Sequence, residues 1–217
     1  MSNYRNYVED FPNRCKSILE LAGPVAEEQG LEVTLLLMVA STALTVPYER
    51  LKPEDKYIQP MQEQDRTSFP QAAIDLKELL NKPFLSSPLW NTGSVSSWKG
   101  DTLSTVVGMP DQWKELDDPS ALRANAPVCY VLQAVRNALA HGNLYMRTDP
   151  QEQITQIVFV TGRASRKTGK TVNPFRFILV SPDDFRLFLN KWFAFLTKLD
   201  LPREFVVEML DETAWVR

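Results

Sequence analysis

Two cysteines and one histidine are little material for a chain of 217 residues, and the scarcity excludes several chemistries. Cys15 and Cys129 lie far apart with no CxxC pairing, which rules out a disulfide scaffold and reads as two reduced packing thiols in a reducing compartment. With His141 as the sole histidine, a four-ligand zinc site would need several carboxylates. Glu27 with Glu28, and Asp117 with Asp118, lack a second ligand cluster at useful spacing and read as surface or cap residues. No metal and no cofactor is therefore expected. Long apolar runs are also missing. The richest stretch, Val33 to Val46, is shorter than the roughly 20 helical residues a bilayer needs, so a buried core helix is the better reading. The first ten residues carry no apolar run of the signal-peptide kind. The expected location is cytoplasmic, with no membrane contact. No internal repeat or low-complexity tract is present.

A surplus of charge is lacking too. The formal net charge is -3, so any contact with phosphates must come from a local patch. Hydrophobic residues at 44% and charged residues at 24% are ordinary globular usage, and the length suits one domain over 1–217.

The hydrophobic spacing predicts helices at 11–28, 31–50, 121–141 and 183–199. Pro12 suits a first helical turn, Pro24 threatens to kink or split the first helix, and Pro47 should end or bend the second. Ser181 is a cap for the fourth helix, and Gly142 a stop for the third. An irregular excursion covers about 52–120, with one helix at 71–80 capped by Ser68. Trp90, Trp98 and Trp113 within it could stack on bases but are better read as pins holding a long loop to the core. Runs at 154–160 and 175–180 are rich in β-branched and aromatic residues and predict a β-hairpin with a long tip, about 154–180 in all. A short helix is expected at 204–210. The fold class is thus mainly α: an antiparallel four-helix bundle with a long irregular insertion and a late hairpin.

The third helix is unusual. Val128, Leu132, Val135 and Leu139 fall on one side of a helical wheel and should face the core. Tyr130, Gln133, Ala134, Asn137 and His141 fall opposite, yet between Ala124 and His141 the only Lys, Arg, Asp or Glu is Arg136. A helix without a solvating face is usually covered on both sides, and a second copy of the chain is the economical cover. Gln133, Asn137 and His141 are spaced i, i+4, i+8 on one stripe. His141 falls at the helix C-terminus, where the dipole favours an imidazolium. Arg136 lies on the flank, long enough to swing toward Asn137 and His141. A guanidinium can hold a phosphate in a fork, and an imidazole can move a proton to or from an attacking or leaving oxygen. In RNA the attacking group can be the 2′-hydroxyl, which removes the need for a metal-activated water.

The stretch Arg136-Asn137-Ala138-Leu139-Ala140-His141-Gly142-Asn143 resembles the R-x4–6-H signature of the HEPN superfamily. The resemblance implies a helical bundle, dimerisation around the motif helix and, frequently, metal-independent ribonuclease activity. It also implies roles as toxins or in phage defence, with a neutralising antitoxin or other regulatory protein as partner. Arg136, Asn137 and His141 are the expected catalytic residues. Some HEPN proteins are instead non-catalytic modules that bind a nucleotide, an RNA or a protein partner, or that dimerise.

The loop from Gly162 to Thr171 ends in Gly-Lys-Thr but is no P-loop: six residues separate its glycines where four are needed, and it lies between two strands. Its charge is more telling. No acidic residue occurs between Glu152 and Asp183, while Arg163, Arg166, Lys167, Lys170 and Arg176 do. Such a patch suits RNA phosphates or simply protects a hairpin edge. The expected substrate-binding residues are Tyr130, Gln133, Asn143, Arg163, Arg166, Lys167 and Lys170, and the expected partners are RNA and a second copy of the chain.

Overall fold

The computed structural model describes residues 7–53, 60–90, 96–104, 106–164 and 171–199. Its helices are α1 (Tyr7–Glu28), α2 (Glu32–Leu51), α3 (Pro60–Ser68), α4 (Pro70–Asn81), α5 (Val128–His141) and α6 (Pro182–Leu196). Its strands are β1 (Lys99–Leu103), β2 (Leu144–Thr148), β3 (Ile154–Ala164) and β4 (Thr171–Val180). The mainly helical expectation holds. The helix expected at 204–210 lies outside the described residues.

The prolines of the first two helices end neither of them. Pro12 and Pro24 sit inside α1, and Pro47 inside α2. Pro24 removes the bond to the Glu20 carbonyl on an exposed stretch where water can replace it. Pro47 frees the carbonyl of Ala43, which is fully buried. That carbonyl accepts instead from the Trp192 indole of α6, at 2.8 Å. The proline inside α2 thus creates the acceptor that ties α2 to α6.

Two helix boundaries and the extent of the sheet also differ. Ser68 ends α3 rather than capping α4, which starts after Phe69 with Pro70 in its first turn. α5 begins at Val128, not Ala121, because Pro127 holds extended dihedrals and the residue before a proline avoids the helical region. The expected hairpin is the middle of a four-stranded antiparallel sheet in the order β1-β4-β3-β2. Both outer strands were hidden: β1 reads Lys-Gly-Asp-Thr-Leu, with no strand pattern, and β2 is five residues wedged directly behind a helix.

The sheet divides the core. Ile157, Phe159, Ile178 and Val180 face the helices and join the main cluster with α2, α5 and α6. Val158, Val160, Phe177 and Leu179 face the other way and pack with Leu103, Trp113 and Leu116. So the excursion is not an irregular loop. It supplies α3, α4 and β1, and its Trp113 and Leu116 roof the far face of the sheet. Trp90 and Trp98 pack in the main core against Phe84, Trp98 also against Phe188, which bears out the pinning role. Ser181 caps α6 by accepting from the Asp184 amide at 3.2 Å, and it also meets the Ser97 hydroxyl at 3.0 Å. The excursion is thereby fastened to the start of α6. No described helix is long and apolar enough to cross a membrane.

Candidate functional site

α5 buries Val128, Val131, Leu132, Ala134, Val135 and Ala138, with Leu139 half-buried beside them. The expected core face is there, and Ala134, placed by the wheel on the opposite face, joins it. The polar stripe is open in the isolated chain: Gln133 and His141 are exposed, Tyr130 and Asn137 half-buried. Neither Asn137 nor His141 forms a side-chain hydrogen bond within the described residues.

His141 is the last residue of the helix. Gly142 follows at φ 68°, in the left-handed region that closes helices, and the Asn143 amide returns to the Ala138 carbonyl at 2.9 Å. The Asn143 carbonyl accepts from the Val160 amide of β3 at 3.0 Å, and β2 starts at the next residue. The backbone on both sides of His141 is therefore fixed, by the helix before it and by the sheet after it. The imidazole stands in solvent on a rigid mount. Asn143 is exposed beside it.

Arg136 does not swing toward His141. The two are five residues apart, about 140° around the helix at ~100° per residue. The guanidinium turns to α2 instead, with Nη2 at 2.5 Å from Glu49 Oε1 and the group 5.6 Å from the centre of the Tyr48 ring. Lys52 shares Glu49, 2.8 Å from its other oxygen. The contact to Arg136 is an ion pair and not an aligned hydrogen bond, since neither Arg136 Nε nor Glu49 Oε1 has a hydrogen-bond partner among the described residues. Gln133 Nε2 donates to the Tyr48 hydroxyl at 3.2 Å. Burial pushes the Tyr48 phenol above its ordinary pKa, and the Gln133 bond and the Arg136 charge only partly oppose this.

Tyr48 and Glu49 thus hold the arginine, and the sequence reading missed both. A signal existed: they are polar groups near the end of a helix that is otherwise apolar nearly all round. Of the substrate-binding candidates, Gln133 and Tyr130 line the open stripe, and Asn143 adjoins His141. The backbone of Arg163 lies in β3, its side chain outside the described residues, as are Arg166, Lys167 and Lys170 altogether. Among the described residues no three His, Cys, Asp or Glu side chains gather as a metal site. Burial raises the pKa of both thiols, Cys15 and Cys129.

The comparison with known families bears on what this helix is. A family model described as HEPN pEK499 p136 matches residues 1–202. The chain belongs to this HEPN family. The match takes in both arms of the site, the α2 end at Tyr48 and Glu49 and the whole of α5. It also takes in the excursion and the sheet, so these are parts of the HEPN chain as this family has it. No curated protein and no solved structure matches the chain.

Proposed function

We propose that this HEPN chain is a metal-independent endoribonuclease. The observation that carries the proposal is the open, rigidly mounted pair Asn137 and His141 at the end of the motif helix, in a chain of this family. In this reading the 2′-hydroxyl of the substrate attacks the adjacent phosphorus. His141 moves the proton to or from an attacking or leaving oxygen, and Asn137 orients the substrate or the imidazole. The strand then ends in a 2′,3′-cyclic phosphate, and the leaving strand keeps a 5′-hydroxyl. Arg136 holds the scissile phosphate. A guanidinium carries five donors, and one carboxylate contact leaves capacity for a second anion. Glu49 and Tyr48 act as its positioning residues.

The chain acts in this reading as one domain over 1–217, with α1, α2, α5 and α6 as the four-helix bundle, and as a homodimer about the motif helix. The surface of α2 supports that arrangement. Met38, Thr42, Thr45 and Glu49 follow one another at i, i+4, i+7 and i+11, a single stripe that ends at Arg136. Met38 on that stripe is 67% exposed. A second copy covering both this stripe and the open stripe of α5 would bring two His141 side chains toward one cleft. Ordinary HEPN biology extends the proposal to a toxin or phage-defence effector, held in check by an antitoxin or other regulatory protein.

One observation favours a second reading. Arg136 is already neutralised by Glu49, as a structural arginine would be. A non-catalytic HEPN module that binds a nucleotide, an RNA or a protein partner would keep that pair closed. Incubation of mixed RNAs with the protein in EDTA separates the two: the nuclease reading expects cleavage that Arg136→Ala and His141→Ala each abolish, and the module reading expects binding without turnover.

A further inference from the structure

At the other end of α5 lies a cavity of about 590 Å³ that the proposed reaction does not use. Its floor is the helix-facing side of β1 and β4, where Thr102 pairs with Arg176. Arg176 alternates with Phe177, which belongs to the far face, and shares its own face with Ile178 of the main core. A charged residue therefore ends an apolar row. One wall is the segment 120–127, which lies along β1: the Gly100 amide donates to the Ser120 carbonyl at 3.0 Å, and the Leu122 amide to the Trp98 carbonyl at 3.2 Å. Gly100 permits that approach, since a Cβ there would come within 3.2 Å of the Phe177 carbonyl oxygen and 3.3 Å of Leu122 Cδ1. The opposite wall is the first turn of α5 with Tyr130. The Arg176 guanidinium lies 5.8 Å from the centre of the Tyr130 ring.

Two arginines, Arg123 and Arg176, line this cavity, and neither has a carboxylate partner among the described residues. The nearby carboxylate, Asp101, is occupied by the Ser120 hydroxyl at 3.0 Å and the Thr102 amide at 2.8 Å. Asn125 also lines the space. Unpaired cations, an aromatic face and hydrogen-bonding groups in a concave site of nucleotide size are the parts of a single-strand subsite. The cavity is also aligned with the motif. Tyr130, Asn137 and His141 lie within about 20° of one stripe of α5, and Tyr130 is about 16 Å of helix rise from His141. Beyond Arg176, β4 leads back to the basic, acid-free run at 163–170.

We propose that this cavity is an RNA subsite remote from the scissile bond, resting on the ribonuclease reading above. It takes a nucleotide of a single strand laid along α5. Arg176 and Arg123 hold its phosphates, Tyr130 meets its base, and Asn125 meets the base edge.

The test uses the full-length parent protein and a labelled short single-stranded RNA with fluorine at every 2′ position, so that no strand can be cut. Fluorescence anisotropy gives Kd between about 50 and 200 mM salt. Each of Arg123→Ala and Arg176→Ala is expected to weaken binding and to flatten the plot of log Kd against log salt by about 0.7. Tyr130→Ala is expected to weaken binding about fivefold or more with the salt slope unchanged. Arg123 is exposed, so its variant folds like the parent and keeps the test open if Arg176→Ala is unstable. Parent-like Kd and slope in Arg123→Ala and in folded Arg176→Ala overturn the subsite. If His141-dependent cleavage persists beside that result, the ribonuclease reading survives alone. If the RNA binds as expected while His141→Ala still cuts, the subsite survives and the catalytic assignment falls. A parent that binds no RNA overturns both.

Discussion

At the scale of single residues, the proposed site depends on how firmly His141 is mounted. Gly142 is the decisive neighbour. Its φ of 68° is left-handed, and a Cβ there would meet nothing within 4 Å, so substitution is opposed by backbone strain alone. Gly142→Ala is expected to cost about 1–2 kcal/mol, read as a lower melting temperature, and to reduce cleavage further by loosening the helix end. A Gly142→Ala protein as stable as the parent contradicts the closure described here. This residue was legible in the sequence, because a glycine behind an amphipathic helix has few other uses. The partners of Arg136 were not. Spacing along one helix says which side chains share a stripe, but Glu49 lies 87 positions before Arg136 and reaches it only through the packing of α2 on α5. Being partly exposed, that pair contributes on the order of 1 kcal/mol or less, so Arg136→Ala should leave the fold intact and speak to function.

At the scale of elements, helices with strong apolar stripes were readable, and what hid the remainder was dependence on neighbours. β1 has no strand composition and exists because β4 offers it an edge. α2 passes Pro47 because a distant indole satisfies the carbonyl the proline releases. That bond gives a direct check. Trp192→Phe keeps most of the apolar volume but leaves the Ala43 carbonyl unpaired in the core, which should cost about 1–3 kcal/mol. In a chain of this size each kcal/mol corresponds to a fall of about 2–4 °C in Tm. An unchanged Tm would mean that α2 tolerates its proline by some other route. The excursion follows the same logic: its tryptophans predicted anchoring, but only the folded chain shows that Trp113 roofs a second face of the sheet.

At the scale of the whole molecule, the HEPN motif pointed to the family, while the four-stranded sheet and the Arg176 cavity emerge only in three dimensions. The polar stripe of α5 lies open in the single chain, and the stripe of α2 that ends at Arg136 carries an exposed methionine. A dimer covering both is expected in solution, with sedimentation giving twice the chain mass. Met38→Glu would place a charge in that interface and should shift the protein to monomers, with loss of cleavage. A parent that sediments as a monomer at working concentration refutes the shared cleft.

The ribonuclease proposal meets its most direct test at His141. Because the imidazole is exposed and makes no hydrogen bond within the described residues, its removal should change stability by no more than about 0.5 kcal/mol. Mixed RNAs incubated in EDTA with the parent should be cut to products ending in 2′,3′-cyclic phosphate, and His141→Ala, folded like the parent, should leave the same RNAs whole. Equal cleavage by parent and His141→Ala would contradict the assignment of this site.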